Sequence, residues 1–211
     1  MIWFTSDLHI NHENIIKYCN RPFESIDRMN SELVERWNSK VSIDDTVYVV
    51  GDVFLGSPDL ASPVIRKLNG KKILVLGNHD RSPKTMIECG FEEVHKKLEI
   101  KLQDGRRALL SHKPLPALLL SEYAMQIHGH RHSGPAITGK RINVCVDLWG
   151  YEPVPENEIC DIVLEPDSFS SSCHISIFHD KETVTINAKI QREDLEGLIE
   201  HLTEYKNILW K

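Results

Sequence analysis

At 211 residues, with 41% hydrophobic and 27% charged residues, the chain has the length and composition of one globular domain, or one domain with a small addition. A net charge of −6 and a pI of about 6.0 exclude a broad, nonspecific grip on nucleic acid, which needs basic surface. A phosphorylated substrate stays open, because bound metal can supply local positive charge.

Residues 1–6 form the first predicted strand. A short helix or turn over 14–19 follows. Ile26, Met29, Leu33 and Trp37 then make one helical stripe, with Ser25 or Asp27 as cap and an end near Lys40. Asp44-Asp45 turns into a strand at 46–51. Ser57-Pro58-Asp59 opens a helix that Asn69-Gly70 closes. A strand at 72–77 and a helix over 83–88, stopped by Gly90, complete a β-α-β-α-β-α run, which implies parallel strands with right-handed crossovers. After Gly90 the pattern changes. Residues 91–102, Asp104-Gly105 and 107–111 read as an antiparallel hairpin around a type I′ turn. Strands near 125–128 and 142–146 and a helix over 156–164 end the main body. Residues 165–171 read as a linker. Strands 173–178 and 183–189 and an amphipathic helix marked by Leu195, Leu198, Ile199 and Leu202 form a small ββα tail.

No run approaches ~18 apolar residues, and the N-terminus lacks a signal-type segment, so neither a membrane span nor membrane association is expected. Five scattered cysteines (Cys19, Cys89, Cys145, Cys160, Cys173), with no Cys-x-x-Cys pair, suit reduced thiols in a cytoplasmic protein.

The chemistry lies where the hydrophobic runs stop. Asp7 and His9 end the first, Asp52 the second, Asn78 and His79 the third, His112 the fourth, and His130 and His132 the fifth. In open α/β sheets the carboxyl ends of strands are where ligands bind. Asp7, His9, Asp52, Asn78, His112, His130 and His132 are hard or borderline ligands without a thiolate, which suits Mn²⁺, Zn²⁺ or Fe rather than a structural zinc site. Seven ligands are too many for one ion and about right for two. A carboxylate such as Asp52 can bridge two ions through its two oxygens, and ions ~3.5–4 Å apart clamp the attacking and leaving oxygens of an in-line displacement at phosphorus.

In this order, Asp7-Leu8-His9, Gly51-Asp52, Gly77-Asn78-His79-Asp80, His112 and Gly129-His130-Arg131-His132 resemble the five motifs of the calcineurin-like metallophosphoesterases. The segments 11–16 and 146–151 resemble small bacterial and phage members. The motifs span 7–132 and the resemblance extends to about 165, which suggests a phosphoesterase domain over 1–165 and a ββα extension over 166–211. The resemblance implies a four-layer α/β sandwich of two mixed sheets flanked by helices. It implies one divalent ion held by Asp7, His9, Asp52 and His132 and another held by Asp52, Asn78, His112 and His130. Manganese is the expected metal, with zinc, iron or nickel as alternatives. The implied reaction is in-line attack of a metal-bridging hydroxide on a phosphomonoester or phosphodiester, with His79 donating a proton to the leaving alkoxide or binding the phosphate alongside Asn78. Asp80, next in sequence, is a candidate carboxylate partner of His79, directly, through the backbone or from behind the ligands, which puts His79, Asp52 and Asp80 at the catalytic centre.

Several residues have two readings. Arg21 either reaches a substrate phosphate or lies in a solvated loop; Lys113 and Arg131 are weaker candidates of the same kind. His128 alternates with His130 and His132 but has no ligand role in the family pattern, so a structural role is expected. Trp149 and Tyr151 either wall the pocket or pack in the core. The partner expected is a small phosphorylated compound, nucleotides included. A DNA-repair-type nuclease would need a basic surface that this composition does not offer, and a non-catalytic scaffold would be expected to have lost ligands that this chain keeps. The tail could pair with a second copy, making a homodimer.

Overall fold

In the computed structural model, which describes residues 1–164 and the backbone of 172–179 and 182–189, the first half of the chain alternates strand and helix. β1 (Ile2–Thr5) is followed by α1 (Glu13–Tyr18) and α2 (Ile26–Lys40), then β2 (Thr46–Val49), α3 (Pro58–Ile65), β3 (Lys71–Val75), α4 (Pro83–Cys89) and β4 (Glu93–His95). The four strands pair in parallel, as the alternation requires. The antiparallel β10 (Val154–Pro155) adds to the outer side of β1 and makes the sheet mixed.

The helix signals act as read. Ser25 Oγ accepts the Arg28 amide at 3.2 Å to cap α2, and Ser57 and Ser82 cap α3 and α4, each with proline in the first turn. One helix is shorter than expected. α3 stops at Ile65 rather than reaching Asn69-Gly70. Pro63 removes an intrahelical donor, and the chain tightens beyond it, with Lys67 and Leu68 donating to Val64 and Ile65 three residues back.

Segment 91–102 is the main departure. It is not one arm of a hairpin but two strands in two sheets. β4 joins the first sheet, and after Lys96 and Lys97 the chain crosses to β5 (Leu98–Lys101) in the second. β5 pairs antiparallel with β6 (Arg107–Leu110). The connecting turn is not type I′, because Gly105 has a positive φ (88°) but Asp104 does not. β6, β7 (Met125–His128) and β9 (Arg141–Asn143) are parallel, with β8 (Ile137–Thr138) antiparallel at the edge, so the second sheet is mixed as well. α5 (Glu156–Asp161) closes the body.

Strand alternation puts the two faces of the first sheet to different uses. Trp3, Val47, Val49 and Leu74 pack against Met29, Leu33, Trp37 and Ile65 of the helical layer. Phe4, Tyr48, Val50 and Val75 face Ala108, Leu110, Met125, Ile127 and Ile142 of the second sheet. Each such burial contributes about 1.5–3 kcal/mol. The opposite face of β6 carries Leu109, which Leu115 and Leu120 cover around a short 3-10 turn at Ala117–Leu120. β11 (Ser172–His179) and β12 (Glu182–Lys189) form an antiparallel pair. The expected linker at 165–171 and the terminal helix around 195–202 lie outside the described residues. Among the described residues no helix is long and apolar enough to cross a membrane.

This topology fixes the site. β1, β2 and β3 in one sheet and β6, β7 and β9 in the other are parallel strands, and each of their carboxyl ends is followed by a loop that carries candidate ligands or the side chains that hold them.

Candidate metal centre

The loops after β1 and β2 are zipped together by backbone hydrogen bonds. Asp7 N donates to Gly51 O (3.0 Å), His9 N to Asp52 O (3.1 Å) and Ile10 N to Val53 O (2.9 Å). The residues that carry the chemistry have unusual backbone: in these zipped loops Asp7, His9 and Asp52 have φ of 58°, 50° and 54°, and on the loop after β7 His130 has 70°. Left-handed backbone costs roughly 1–2 kcal/mol per non-glycine residue. Four such residues facing one point are the mark of a site whose geometry is maintained against local preference. Asn30, buried on α2, braces the loop by exchanging hydrogen bonds with Asn11, itself at φ 63°.

The ligand atoms fall into two groups that share Asp52. Those of Asp7, His9 and Asp52 lie within 4.8 Å of one another, and so do those of Asp52, His112 and His130. His132 joins the first group, with Nε2 3.7 Å from Asp7 Oδ1. Asp52 Oδ2 lies 3.8 Å from His9 Nε2 and 3.2 Å from His112 Nε2. Its Oδ1 instead accepts the His79 amide at 2.9 Å.

Each buried carboxylate or imidazole has one atom committed and one left over. Asp7 Oδ2 accepts Ser6 Oγ (2.6 Å) and the His130 amide (2.9 Å). His112 Nδ1 donates to Val50 O at 2.8 Å, which turns its Nε2 toward Asp52 Oδ2, 3.2 Å away. His9 Nδ1 meets His12 Nδ1 at 3.4 Å. The atoms on the other side, Asp7 Oδ1, His9 Nε2 and His112 Nε2, are buried without any hydrogen-bond partner. Unpartnered buried polar atoms cost about 1–3 kcal/mol each. Three of them converging beside a shared carboxylate fit divalent cations.

The electrostatics agree. Burial raises the Asp7 carboxyl above its ordinary range, against the pull of His112 and His132. Burial would raise Asp52 too, but His112 and the His79 amide outweigh it and hold it at about 2. Burial lowers His9 to about 3 and, with His112 and Lys113, lowers His130 to about 4, so both rings are neutral, the form that binds metal. His112 is the exception: burial acts to lower it, but the carboxylates Asp52 and Asp7 bring it up to about 8, so a cation bound there displaces its proton.

Glycines make room for the carboxylates. A Cβ on Gly77 would lie 2.2 Å from Asp52 Oδ1, and one on Gly129 would lie 2.4 Å from Asp7 Oδ2. The sequence model of the family described as calcineurin-like phosphoesterase matches residues 1–132, the stretch that contains every ligand candidate above. The chain belongs to that family. It is 36% identical over 171 residues to an uncharacterized protein of Methanocaldococcus jannaschii, an alignment covering 77% of this chain and 90% of the relative. It is 31% identical over 195 residues to the Gene 66 protein of Mycobacterium phage L5, covering 76% and 93%. A crystal structure of a protein of unknown function from Aquifex aeolicus matches the fold with a TM-score of 0.65 at 28% identity, covering 77% of this chain and 99% of that one.

Other family-motif residues take distinct places. Asn78 lies exposed on the loop after β3, between Gly77 and His79. His79 has its side chain 47% exposed, with Nε2 3.9 Å from Asp52 Oδ2. Asp80 does not partner the His79 ring. Its carboxylate accepts the backbone amides of Asp52 (2.9 Å), Val53 (2.9 Å) and Gly77 (2.8 Å), tying together the two loops that hold Asp52. Burial pushes this carboxyl up while those donors pull it down.

Arg21 does not lie in a solvated loop. Its side chain is fully buried; Nε and Nη2 meet Asp147 at 2.9 and 2.8 Å, and Nη1 and Nη2 donate to the carbonyls of Leu8 and Asp7 at 3.0 and 2.7 Å. His128 is buried, donates Nδ1 to Gly129 O at 2.8 Å and, with Arg131, lines a separate cavity of about 300 Å³. Tyr151 packs edge-on against Phe23 in the helix-side core, and Trp149 packs on the inter-sheet core. Asp147 is the functional residue that sequence reasoning missed. Its only signal is an acidic residue a few positions past a strand, in a segment noted only for its likeness to small family members.

Proposed function

We propose that this phosphoesterase hydrolyses a small phosphomonoester or phosphodiester at a two-metal centre, with manganese as the working ion. One observation carries the reading: two ligand groups share the Asp52 carboxylate, and the atoms facing the shared point have no partner in the protein. Asp7, His9, Asp52 and His132 would hold one ion, and Asp52, Asn78, His112 and His130 the other. When bound, such ions supply Lewis-acid charge to the phosphate and lower the pKa of water for attack. The chain supplies the rest. Neutral His9 and His130 keep their lone pairs available. His79 stands half-exposed at the mouth, its amide fixed by Asp52, where its imidazole can give a proton to the departing oxygen. The acidic composition supports a small substrate over extended nucleic acid.

The test is turnover of paired chromogenic monoester and diester substrates by protein stripped of metal and reloaded with Mn²⁺. Metal-dependent turnover that Asp52→Asn abolishes supports the proposal. Two ions bound with no turnover of either substrate class would overturn it.

A further inference from the structure

Behind His132 lies a buried carboxylate held on both oxygens by donors of the protein. Asp147 Oδ1 accepts Arg21 Nε at 2.9 Å. Its Oδ2 accepts Arg21 Nη2 at 2.8 Å, His132 Nδ1 at 2.8 Å and the Cys145 thiol at 3.3 Å. Three of these donors converge on Oδ2, so that oxygen is committed to Arg21, His132 and Cys145. Because Asp147 takes the Nδ1 proton, His132 must present Nε2 as its lone pair, and Nε2 is the nitrogen that points at the unpartnered Asp7 Oδ1, 3.7 Å away. Arg21 is the anchor. It spends its remaining donors on the carbonyls of Asp7 and Leu8. One buried guanidinium thus holds the main chain of one ligand, Asp7, and the carboxylate that orients another, His132.

We propose that Asp147, held by Arg21, is a positioning residue that sets the affinity of the half-site built from Asp7, His9 and His132, while His112 of the other half-site is oriented independently by Val50. This rests on the two-metal reading above. The asymmetry is built in: His112 is oriented by a neutral backbone carbonyl 2.8 Å from its Nδ1, and His132 by a charged pair linking residues 126 positions apart. A carboxylate behind an imidazole raises its basicity and strengthens it as a ligand more than a carbonyl does.

The experiment is calorimetric titration of the full-length, metal-free protein with Mn²⁺, resolving two binding steps. His132→Ala and His112→Ala identify which step belongs to which half. Asp147→Asn should weaken the step lost in His132→Ala by roughly 10–100-fold and leave the step lost in His112→Ala within a few-fold of wild type. Arg21→Lys should weaken the same step less. Because Asp147→Asn leaves Arg21 buried without its charge partner, a second variant, Arg21→Met with Asp147→Leu, removes both charges and should show the same selective loss. Unchanged uptake in these variants, or a loss on the His112 step, overturns the proposal while leaving the two-metal reading intact. A wild-type protein that takes up less than one ion overturns that reading and this inference together.

Discussion

The carboxylate of Asp80 sits beneath Asp52 and accepts its backbone amide at 2.9 Å, along with the amides of Val53 and Gly77. Asp80 therefore ties the loop that carries the shared carboxylate to the loop after β3. Hydrogen bonds to a charged group contribute about 1.5–3 kcal/mol each and do not add fully. Asp80→Ala should lower the unfolding free energy of the metal-free protein by on the order of 3 kcal/mol in urea denaturation, and weaken metal uptake as Asp52 loses its frame. Unchanged stability with a fall confined to kcat would mean that Asp80 works through His79 after all.

Away from the centre, Asp45 gives a pH-dependent contribution whose sign can be worked out. The ammonium of Met1, the Ser42 amide and the Trp3 indole N–H converge on its carboxylate and lower its pKa. A lowered folded-state pKa contributes stability above the unfolded value, ordinarily near 3.9, and that contribution is lost as pH falls through the folded value. Asp45→Asn should therefore destabilise the protein at pH 7, by roughly 1 kcal/mol. The gap to wild type should narrow as pH drops below about 4. Denaturation midpoints at pH 7, 5 and 3 check this, and a gap that stays constant with pH would remove Asp45 as the cause.

Gly77 and Gly129 are held by space rather than by φ. Neither has the positive φ of a turn glycine, yet an added methyl group would overlap Asp52 Oδ1 or Asp7 Oδ2. Gly77→Ala and Gly129→Ala should each cost about 1–3 kcal/mol of stability. Each should also displace a ligand carboxylate, so metal stoichiometry should fall even where the protein stays folded. Gly129→Ala should damage the half-site of Asp7 and disturb His130, whose amide bonds the displaced oxygen, and Gly77→Ala should damage both halves, because Asp52 is shared. Full metal loading in either variant, measured by elemental analysis, would show that the carboxylates tolerate the shift.

The ligand loops could be read from sequence for a simple reason: each follows a short apolar strand, and the parallel β-α-β order of residues 1–95 puts the ends that carry Asp7, His9, Asp52 and Asn78 on one edge. What could not be read depends on contacts between distant segments. Nothing local to residues 91–102 says that β4 pairs with β3 while β5 pairs with β6; that break is decided by which core Val94 and Leu98 enter. Arg21 looks like a loop arginine because its partner is 126 positions away. Asp80 looks like a partner for His79 because the two are adjacent in sequence, but the folded loop turns its carboxylate toward backbone amides. Pro63 is a local signal for the early end of α3, since it removes an intrahelical donor two residues before Ile65.

His79 and Asp52 should separate chemistry from metal binding. The two side chains come within 3.9 Å, but Asp52 is buried among the ligand atoms and His79 stands half-exposed beside them. Removing a proton donor costs about 10²–10⁴-fold in rate, so His79→Ala should lower kcat by that order while retaining the wild-type metal content. The loss should be smallest for substrates whose leaving group is already a good one, such as nitrophenolate, since that oxygen departs without a proton. Asp52→Asn removes the charge shared by both ligand groups, so it should lose metal and fall further in activity than His79→Ala on every substrate. Kinetics across leaving groups of differing pKa, with metal content measured on the same samples, check both. A His79→Ala defect independent of the leaving group would mean that the imidazole binds the phosphate rather than protonating the departing oxygen.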